Sequence, residues 1–471
     1  MNAVSRASAR LTTSVATMSA RSRRFYLWIG ALTVVGLAVR VLYAYHWKWN
    51  QAIWGDAFYY HFQANGLVHG HGFATYTLHP NGTVTATGAS ADHPPLFPLY
   101  LAAYSLVGLD SFHAHMLASC LLGAGTVFVC GLLGREVVNE RVGIIAAAVA
   151  AVYANLWVQD ALVVSETITF FMVAVMVLAA YRFWKVPTMR RAVLLGIACG
   201  LGALTRAEVV LFLPLAVIPI VWKIRGETAL RRVKLFVVAC LCSLLVMMPW
   251  LVRNLTEFDQ PVLLSTGFGI TLAASNCDLT YHGDLLGWWS INCVHSKPKG
   301  DISDQDKAYR QRGLDYIDGH LSRLPVVVAA RIGRMWELFH PGSPWGPVHF
   351  NQKINLDYIE GRAVIASRIA LAQFYVLMPL AIAGAVILWR RRITIAPFVA
   401  LPIIATFAGV IAFGNTRYRA PAEIAIVGLS AVAIDAILAA LQRRRGRGGP
   451  PEPELPPEEP RELVGASDPA S

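Results

Sequence analysis

Long apolar runs, separated by short polar clusters, make up most of the chain. A membrane-spanning helix needs roughly 17–25 mostly apolar residues, and the pattern predicts about ten such spans. The first runs from Phe25 to Tyr45, and the others lie at about 115–134, 142–158, 161–184, 192–206, 209–222, 235–252, 367–389, 394–413 and 421–441. The two spans near residue 200 are short, so we expect them to be broken or tilted. The chain is therefore predicted to be an all-α polytopic membrane protein.

The basic residues between these runs predict an orientation. Cytoplasmic flanks of membrane helices carry an excess of Lys and Arg. With alternating spans, the basic clusters fall on the same side as Arg21, Arg23 and Arg24; they lie at 185–191, 223–234, 390–392 and 443–447. Both termini are therefore predicted to be cytoplasmic, in a multi-pass protein of the cell membrane.

Two long polar segments then fall on the outer side, and they set the predicted domains. In chain order these are a basic cytoplasmic N-terminus at 1–24, a membrane catalytic module at 25–252 that includes the outer loop 46–114, an extracytoplasmic loop domain at 253–362, C-terminal transmembrane helices at 363–442 and a disordered cytoplasmic tail at 443–471. The tail is rich in Pro and Glu, which cannot bury enough apolar surface to fold.

Within the outer segments, two local features are predicted. The apolar stretch from Pro95 to Leu109 is too short to cross a bilayer, so we interpret it as an outer interfacial or re-entrant helix that borders a site. Cys277 and Cys293 share the second outer segment, outside the reducing cytosol, and we hypothesise that they form a disulfide.

Composition and charge narrow the class of protein. Of 471 residues, 55% are apolar and 15% are charged, whereas soluble domains average about 25% charged. The net charge of +12 comes from separate clusters rather than one continuous basic face. An ordinary soluble enzyme is therefore a poor fit to this composition, and the charge pattern excludes a nucleic-acid-binding protein.

The remaining ionisable residues collect at the outer boundary of the predicted membrane. These are Asp56, Asp92, His93, Asp160, Glu166, Arg206, Glu208, Arg253, Arg417 and Arg419. Ionisable groups near membrane depth are costly and invite a functional interpretation. A transporter would instead place polar residues near the midplane, with internal repeats.

Two acidic positions have chemistry of their own. Asp56 lies among aromatic residues and could take a proton from a hydroxyl as a general base; the alternative is a loop Asp that caps a helix. Asp92 and His93 precede Pro94 and Pro95, and a helix opened by Pro95 would expose N–H groups that seat an anion such as phosphate. Asp92 could instead cap that helix. His93 could contact phosphate, ligate a metal or be an ordinary interfacial histidine.

Three arginines could neutralise a lipid phosphate, because a planar guanidinium matches phosphate oxygens. They are Arg253, Arg417 and Arg419. The alternative for each is headgroup anchoring at the end of a span. We expect Arg206 and Glu208 to form a plain ion pair, and Arg40, inside the first span, to reach the interface or to pair with an acid.

Five short motifs occur in the order of a known family. They are Trp54-Gly-Asp56-Ala-Phe-Tyr59-Tyr60, His93-Pro-Pro-Leu, Leu-Val-Val-Ser165-Glu166-Thr, Pro249-Trp-Leu-Val-Arg253-Asn254 and Gly414-Asn-Thr-Arg417-Tyr418-Arg419. Over most of residues 25–441 the chain resembles the membrane-embedded GT-C glycosyltransferases of the protein O-mannosyltransferase and aminoarabinose transferase group. The resemblance implies a GT-C-like bundle with outer juxtamembrane helices and a small extracytoplasmic loop domain.

The resemblance also implies a reaction. It is an inverting transfer of a sugar from a polyprenyl-phosphate-linked donor to a glycan, lipid or protein acceptor on the outer face of the membrane. In the terms of the family, Asp56 is the base or the group that orients the acceptor, Asp160 is a second acid, and Asp92 is a ligand for a divalent metal ion.

Further contacts follow from the same resemblance. His93, Arg253, Arg417 and Arg419 are predicted to bind the donor phosphate, and Tyr59, Tyr60 and Glu166 to contact substrate. Two other classes remain as alternatives: a transporter or flippase of a lipid-linked substrate, and a non-catalytic membrane scaffold.

Overall fold

The computed structural model describes residues 20–444, apart from 54, 225 and 341–361. Seventeen α-helices lie in this part of the chain, and they are α1 (Ala20–Tyr43), α2 (Gly55–Val68), α3 (Leu96–Ser105), α4 (Phe112–Val137), α5 (Glu140–Val152), α6 (Ala154–Asp160), α7 (Glu166–Lys185), α8 (Met189–Ala203), α9 (Ile218–Trp222), α10 (Ala229–Glu257), α11 (Gly267–Ser275), α12 (Asp278–Tyr281), α13 (Ile302–Gly319), α14 (Leu324–Met335), α15 (Val364–Arg390), α16 (Ala396–Ile411) and α17 (Ala420–Arg444). The all-α polytopic fold is confirmed. Most of the predicted N-terminus 1–24 and nearly all of the tail 443–471 lie outside the described residues.

Fewer helices than predicted are long enough to cross a membrane. Among the described residues six qualify by length and composition, and they lie at Ser22–Lys48, Phe112–Val137, Glu166–Lys185, Ala229–Glu257, Val364–Arg390 and Thr416–Arg444. A bent pair, α5 and α6, would make a seventh. The prediction of about ten spans therefore overcounts continuous helices, because several apolar runs are short or broken.

The breaks have local causes. The predicted span 142–158 bends by 54° between α5 and α6, where the extended backbone of Tyr153 interrupts the helix. The predicted span 209–222 divides into a short π-helix, Leu213–Val217, followed by α9. Each segment has a proline in its first turn, and proline removes a helical N–H donor. The expectation of a broken helix near residue 200 is confirmed.

The helices of the bundle pack most closely where one of them has a glycine. A Cβ at Gly384 of α15 would run into the Leu429 carbonyl of α17, and a Cβ at Gly196 of α8 would run into the Ala239 carbonyl of α10. Small residues let helix backbones approach in this way, which gives membrane helices much of their contact energy.

One end of the bundle carries the non-helical structure, and we call it the loop-domain end. A two-stranded antiparallel hairpin, β1 (Ala74–Leu78) and β2 (Val84–Ala89), follows α2, in a segment where only a polar outer loop was predicted. The short helix expected between Pro95 and Leu109 is present as α3. Residues 258–340 form the compact set α11–α14, and Cys277 and Cys293 are joined in the hypothesised disulfide.

The opposite end carries exposed basic residues. Helix α15 ends at Arg390, and Arg391 and Arg392 follow it; α17 ends at Arg443 and Arg444. The two ends of the bundle therefore differ in charge as the sequence predicts.

Candidate active site

Four chain segments meet at the loop-domain end and bring charged side chains together. Asp56 lies in the first turn of α2, just after Gly55, whose φ of +57° suits glycine. Glu166 is the first residue of α7. Arg417 lies in the 3-10 turn before α17, where the Asn415 side chain caps the turn by accepting a hydrogen bond from the Arg417 N–H. Arg206 lies in the bend after α8.

The guanidinium of Arg417 is the centre of this arrangement. Its Nε donates to Glu166 Oε1 at 2.7 Å, and its Nη2 donates to Glu166 Oε2 at 3.2 Å and to Asp56 Oδ2. Arg206 donates to the same Glu166 oxygen at 3.1 Å and to Glu208 at 2.6 Å. We call these five residues the Arg417 cluster. The cluster has three carboxylates and two guanidinium groups, and each guanidinium is hydrogen-bonded to two of the carboxylates.

Exposure within the cluster is graded. The Glu166 side chain is fully buried, whereas 26% of the Arg417 side chain and 30% of the Asp56 side chain remain accessible. Glu166 therefore holds Arg417 from the buried side, and a ligand can contact the exposed parts of Arg417 and Asp56.

The charge state of Asp56 follows from its neighbours. Burial disfavours the carboxylate, but the charges of Arg417 and His93 outweigh burial and hold the pKa of Asp56 well below its usual range. Asp56 is therefore ionised across the physiological range. It is a strong hydrogen-bond acceptor, although its intrinsic basicity is low.

His93 and two tyrosines surround the exposed side of Asp56. The Nε2 of His93 lies 3.8 Å from Asp56 Oδ1, and its ring is 5.0 Å from the Tyr59 ring and 5.1 Å from the Tyr60 ring. Burial is the largest cause that raises the pKa of Tyr59 and of Tyr60 above the ordinary value. The structure thus places His93 beside the cluster, and the neutral phenols of Tyr59 and Tyr60 lie next to its ring.

Asp92 lies close by, but it is not a helix cap. The residue before α3 is Pro95, and no side chain caps this helix. The Leu96 N–H, which was expected to face an anion, donates to the Leu204 carbonyl at 3.0 Å. Asp92 instead accepts a hydrogen bond from Thr266 at 3.4 Å. The capping alternative is therefore wrong, and the phosphate seat loses its first N–H donor.

The pKa of Asp92 moves opposite to that of Asp56. Burial, with a further contribution from the charge of Asp56, raises the pKa of Asp92. In the described residues, the side chains that come close enough to hold a metal ion are Asp259, Asp301 and Asp304 of the loop domain. Asp92 is not among them, so the metal at Asp92 stays a prediction.

Three predicted site residues lie elsewhere. Asp160 forms an ion pair with Arg40 at 2.6 Å, and both side chains are at most 1% exposed, so no substrate reaches this acid and the expected pairing of Arg40 with an acid is confirmed. Arg419 binds Glu423 at 2.7 Å, also fully buried. Arg253 donates to backbone carbonyls of the hairpin segment. Of the three arginines predicted to bind the donor phosphate, Arg417 alone contacts Asp56 in the described residues.

The bend at residues 206–208 makes more contacts than the sequence predicts. The expected ion pair between Arg206 and Glu208 is present, but Arg206 also bonds Glu166, which lies 40 residues earlier. The Arg206 guanidinium covers the Tyr418 ring at 5.1 Å. The sequence showed only that this bend carries ionisable residues. It could not show that Arg206 contacts Glu166 and Tyr418, because these partners lie in other segments of the chain.

Part of the chain matches the model of a known protein family. Residues 92–252 match the family model described as dolichyl-phosphate-mannose-protein mannosyltransferase. No curated protein matches the chain by sequence.

The solved structures that are similar to this chain include two proteins, each with a bound lipid phosphate. The archaeal oligosaccharyltransferase AglB from Archaeoglobus fulgidus, in complex with an inhibitory peptide and a dolichol-phosphate, is 14% identical, with a TM-score of 0.52 over 91% of this chain and 52% of its own. ArnT from Cupriavidus metallidurans, bound to undecaprenyl phosphate, is 16% identical, with a TM-score of 0.41 over 90% of this chain and 81% of its own. The chain thus spans about half the length of the oligosaccharyltransferase. The family-model match and the shared fold with the archaeal enzyme together confirm the resemblance to the membrane-embedded GT-C glycosyltransferases of the protein O-mannosyltransferase group.

Proposed function

We propose that this protein is an inverting glycosyltransferase that moves a sugar from a polyprenyl-phosphate-linked donor to an acceptor hydroxyl on the outer face of the cell membrane. The observation that supports this most is the pair formed by Arg417 and Asp56, a partly exposed cation beside a partly exposed carboxylate. Such a pair offers one group for the leaving phosphate and one for the incoming hydroxyl.

The leaving group needs stabilisation of charge. When the bond between the sugar C1 and the phosphate oxygen breaks, its electron pair stays on a phosphate that is already ionised, so no strong acid is required. Preorganised cations at that position lower the barrier. Arg417 and His93, with 34% of its side chain accessible, are the groups that can contact phosphate oxygens there. The acceptor class, whether glycan, lipid or protein, is not fixed by these contacts.

The acceptor hydroxyl needs orientation. Asp56 would accept its hydrogen bond and direct an oxygen lone pair at C1, on the face opposite the phosphate, so that the configuration inverts. As the new C–O bond forms, the proton passes to the Asp56 carboxylate and from there to solvent. A weakly basic carboxylate suffices because the hydroxyl becomes acidic only as the bond forms.

The distribution of charge supports this orientation in the membrane. The exposed basic residues at the ends of α15 and α17 lie at the end of the bundle opposite the Arg417 cluster. The positive-inside rule assigns them to the cytoplasm. The cluster would then face the outside, at the boundary between lipid and water where a polyprenyl phosphate headgroup lies.

The test is transfer by the purified full chain in lipid nanodiscs. A panel of polyprenyl-phospho-sugars is supplied, and both sugar transfer and release of the free lipid phosphate are measured. Asp56→Asn should reduce transfer by at least about 100-fold while the protein stays folded.

A matched control is Asp435→Asn, since Asp435 also pairs with an arginine, Arg141 at 2.8 Å, but lies near the far end of α17. Full activity in Asp56→Asn would refute the proposed role of Asp56. Failure of the wild-type protein to consume any donor would refute the enzyme assignment, and movement of intact donor across a vesicle membrane would indicate the transporter alternative.

A further inference from the structure

The segment that carries Arg417 packs against α14 of the loop domain. The Gly414 N–H donates to the Gly287 carbonyl at 2.9 Å. A Cβ at Gly414 would lie 2.6 Å from the carbonyl oxygen of Arg331 in α14, so the two backbones are in direct contact and any larger residue would push them apart. The loop domain is therefore one of the surfaces against which the Arg417 segment is held.

The guanidinium of Arg331 joins the C-terminal ends of two other helices. Its Nη1 donates to the Val410 carbonyl in the last turn of α16 at 2.8 Å, and its Nη2 donates to the Ser275 carbonyl at the end of α11 at 2.7 Å. Nη2 also donates to Asn276 Oδ1 at 3.0 Å. Carbonyls in the last turn of a helix have no partner within that helix, and a cation there also complements the helix dipole. One side chain thus satisfies two helix ends.

The charge of Arg331 is buried without a matching anion. The residue is 2% exposed, and its side-chain acceptors in the described part of the chain are two carbonyl oxygens and an amide oxygen. Burial lowers the pKa of Arg331 to about 10, so the guanidinium stays charged at neutral pH. A buried charge is costly. What this charge provides is geometric, because a planar guanidinium fixes its acceptors relative to one another.

One of the two joined helix ends leads to Arg417. The chain leaves α16 just after Val410 and passes Gly414 before it reaches the turn of Arg417. The hydrogen bond that Val410 accepts and the one that Gly414 donates both come from or go to the loop domain. The connection between α16 and Arg417 is therefore held at two points by the loop domain.

The other joined helix leads to His93. At the N-terminus of α11, the Thr266 N–H donates to the Ala91 carbonyl at 2.8 Å, and the Thr266 hydroxyl donates to Asp92 at 3.4 Å. Helix α11 has nine residues, which corresponds to a length of about 13 Å. It therefore extends as a rigid spacer from the segment of His93 to the helix end that Arg331 binds.

We propose that Arg331 is a positioning residue for the donor phosphate, because by joining the ends of α11 and α16 it fixes the separation of His93 and Arg417. The proposal rests on the proposed function, in which these two groups contact the phosphate, and it adds a residue of the loop domain to that function. Arg331 itself would not touch the donor and would act through Arg417.

The test isolates the contact with phosphate. Binding of undecaprenyl phosphate and of undecaprenol to the full chain in detergent micelles is measured by native mass spectrometry. The ratio of the two affinities reports the phosphate contact, because the lipid chain is common to both ligands. Hydrogen exchange of the amides of residues 411–419 is followed in the same samples, so one measurement reports binding and the other reports local order.

Two variants perturb the same contact in different ways. Arg331→Gln removes the guanidinium, whereas Gly414→Ala keeps it but displaces the Arg417 segment from α14. Gly414→Ala leaves the helix ends paired, so it decides the question if Arg331→Gln does not fold. The matched control is Arg323→Gln, since Arg323 lies directly before α14 and donates to the Tyr281 carbonyl at 3.2 Å, inside the loop domain.

In Arg331→Gln and in Gly414→Ala, we expect the preference for the lipid phosphate over the alcohol to fall at least about tenfold, the size of one lost charge-assisted hydrogen bond. Exchange of residues 411–419 should become at least about tenfold faster. Both quantities should stay within about twofold of wild type in Arg323→Gln.

An unchanged preference in either variant that folds would overturn the proposal, and so would unchanged exchange of residues 411–419. An equal loss of preference in Arg323→Gln would also overturn it, because general loosening of the loop domain would then account for the effect. Failure of the proposed function has a different signature. In that case the wild-type protein prefers the lipid phosphate and the variants lose this preference, but the wild-type protein transfers no sugar from any polyprenyl-linked donor.

Discussion

Removal of the Arg417 side chain should reveal how strongly it is coupled to Glu166. In Arg417→Gln, the fully buried Glu166 loses two charge-assisted hydrogen bonds, at 2.7 and 3.2 Å, and keeps the one from Arg206 at 3.1 Å. Breaking a buried ion pair costs roughly 3–5 kcal/mol. Because Arg206 remains, we expect a loss of about 3 kcal/mol. In the double variant Arg417→Gln with Glu166→Gln, no buried charge is left uncompensated, so about 2 kcal/mol should be recovered as coupling energy.

The measurement is a double-mutant cycle on the full chain in detergent micelles, with unfolding followed by denaturant titration. The matched control cycle uses Arg141 and Asp435, where the Arg141 side chain is 41% exposed and coupling should stay below about 1 kcal/mol. A coupling between Arg417 and Glu166 of less than about 0.5 kcal/mol would refute the view that Glu166 anchors the arginine. Arg417→Lys tests geometry apart from charge, because an ammonium cannot bridge two carboxylates in the same plane; transfer should fall at least about 100-fold.

Three further outcomes follow from the structure. Asp56→Asn should lower the free energy of unfolding modestly, because it removes the ion pair with Arg417 that holds the Asp56 pKa low, a pair that partial exposure screens; transfer should be lost while the protein stays folded, and loss of the folded protein would point to a structural role instead. Replacement of Cys277 and Cys293 by Ser opens a loop with a sequence separation of 16 residues. This should lower the stability of the loop domain by about 3 kcal/mol on the loop-entropy model. The loss should appear as faster proteolysis of residues 258–340, and an unchanged rate of proteolysis would contradict the prediction. Burial lowers the pKa of His61 to about 4, and its Nδ1 lies 3.0 Å from the Nδ1 of His115, which is also buried, so the stability that the neutral pair contributes is complete above the unfolded pKa of about 6.5 and falls as the pH drops toward 4. His61→Leu should flatten part of this stability profile and leave the part that belongs to His115, and a profile that the substitution leaves unaltered would contradict the role of His61.

Some features of the active site were predictable from local pattern. Asp56 follows the first apolar run and Glu166 lies near the start of another, so both were expected at the outer boundary of the membrane, and the structure places both in the first turn of a helix. The basic residues after α15 and at the end of α17 predicted which end of the bundle is cytoplasmic. These are properties of short segments, where hydropathy, capping and charge act within a few residues.

Other features required the folded chain. Arg253, Arg417 and Arg419 have similar local surroundings in the sequence, since each is near the end of an apolar span, yet they have three different partners. Arg417 meets carboxylates of α2 and α7, Arg419 meets Glu423 one helical turn away, and Arg253 meets carbonyl oxygens of the hairpin segment. Which partner an arginine finds depends on how helices pack, and packing is a long-range property.

The sequence by itself determined that this protein is a bundle of membrane helices with its ionisable residues gathered at one end, because the cost of placing charge in hydrocarbon acts on every residue independently. The tertiary structure alone decided that Asp160 is buried in an ion pair with Arg40, whereas Asp56 remains partly exposed beside Arg417. The two aspartates are the same residue type at the same predicted depth. What separates them is the set of side chains that other helices bring within hydrogen-bonding distance, and only the packed chain sets those distances.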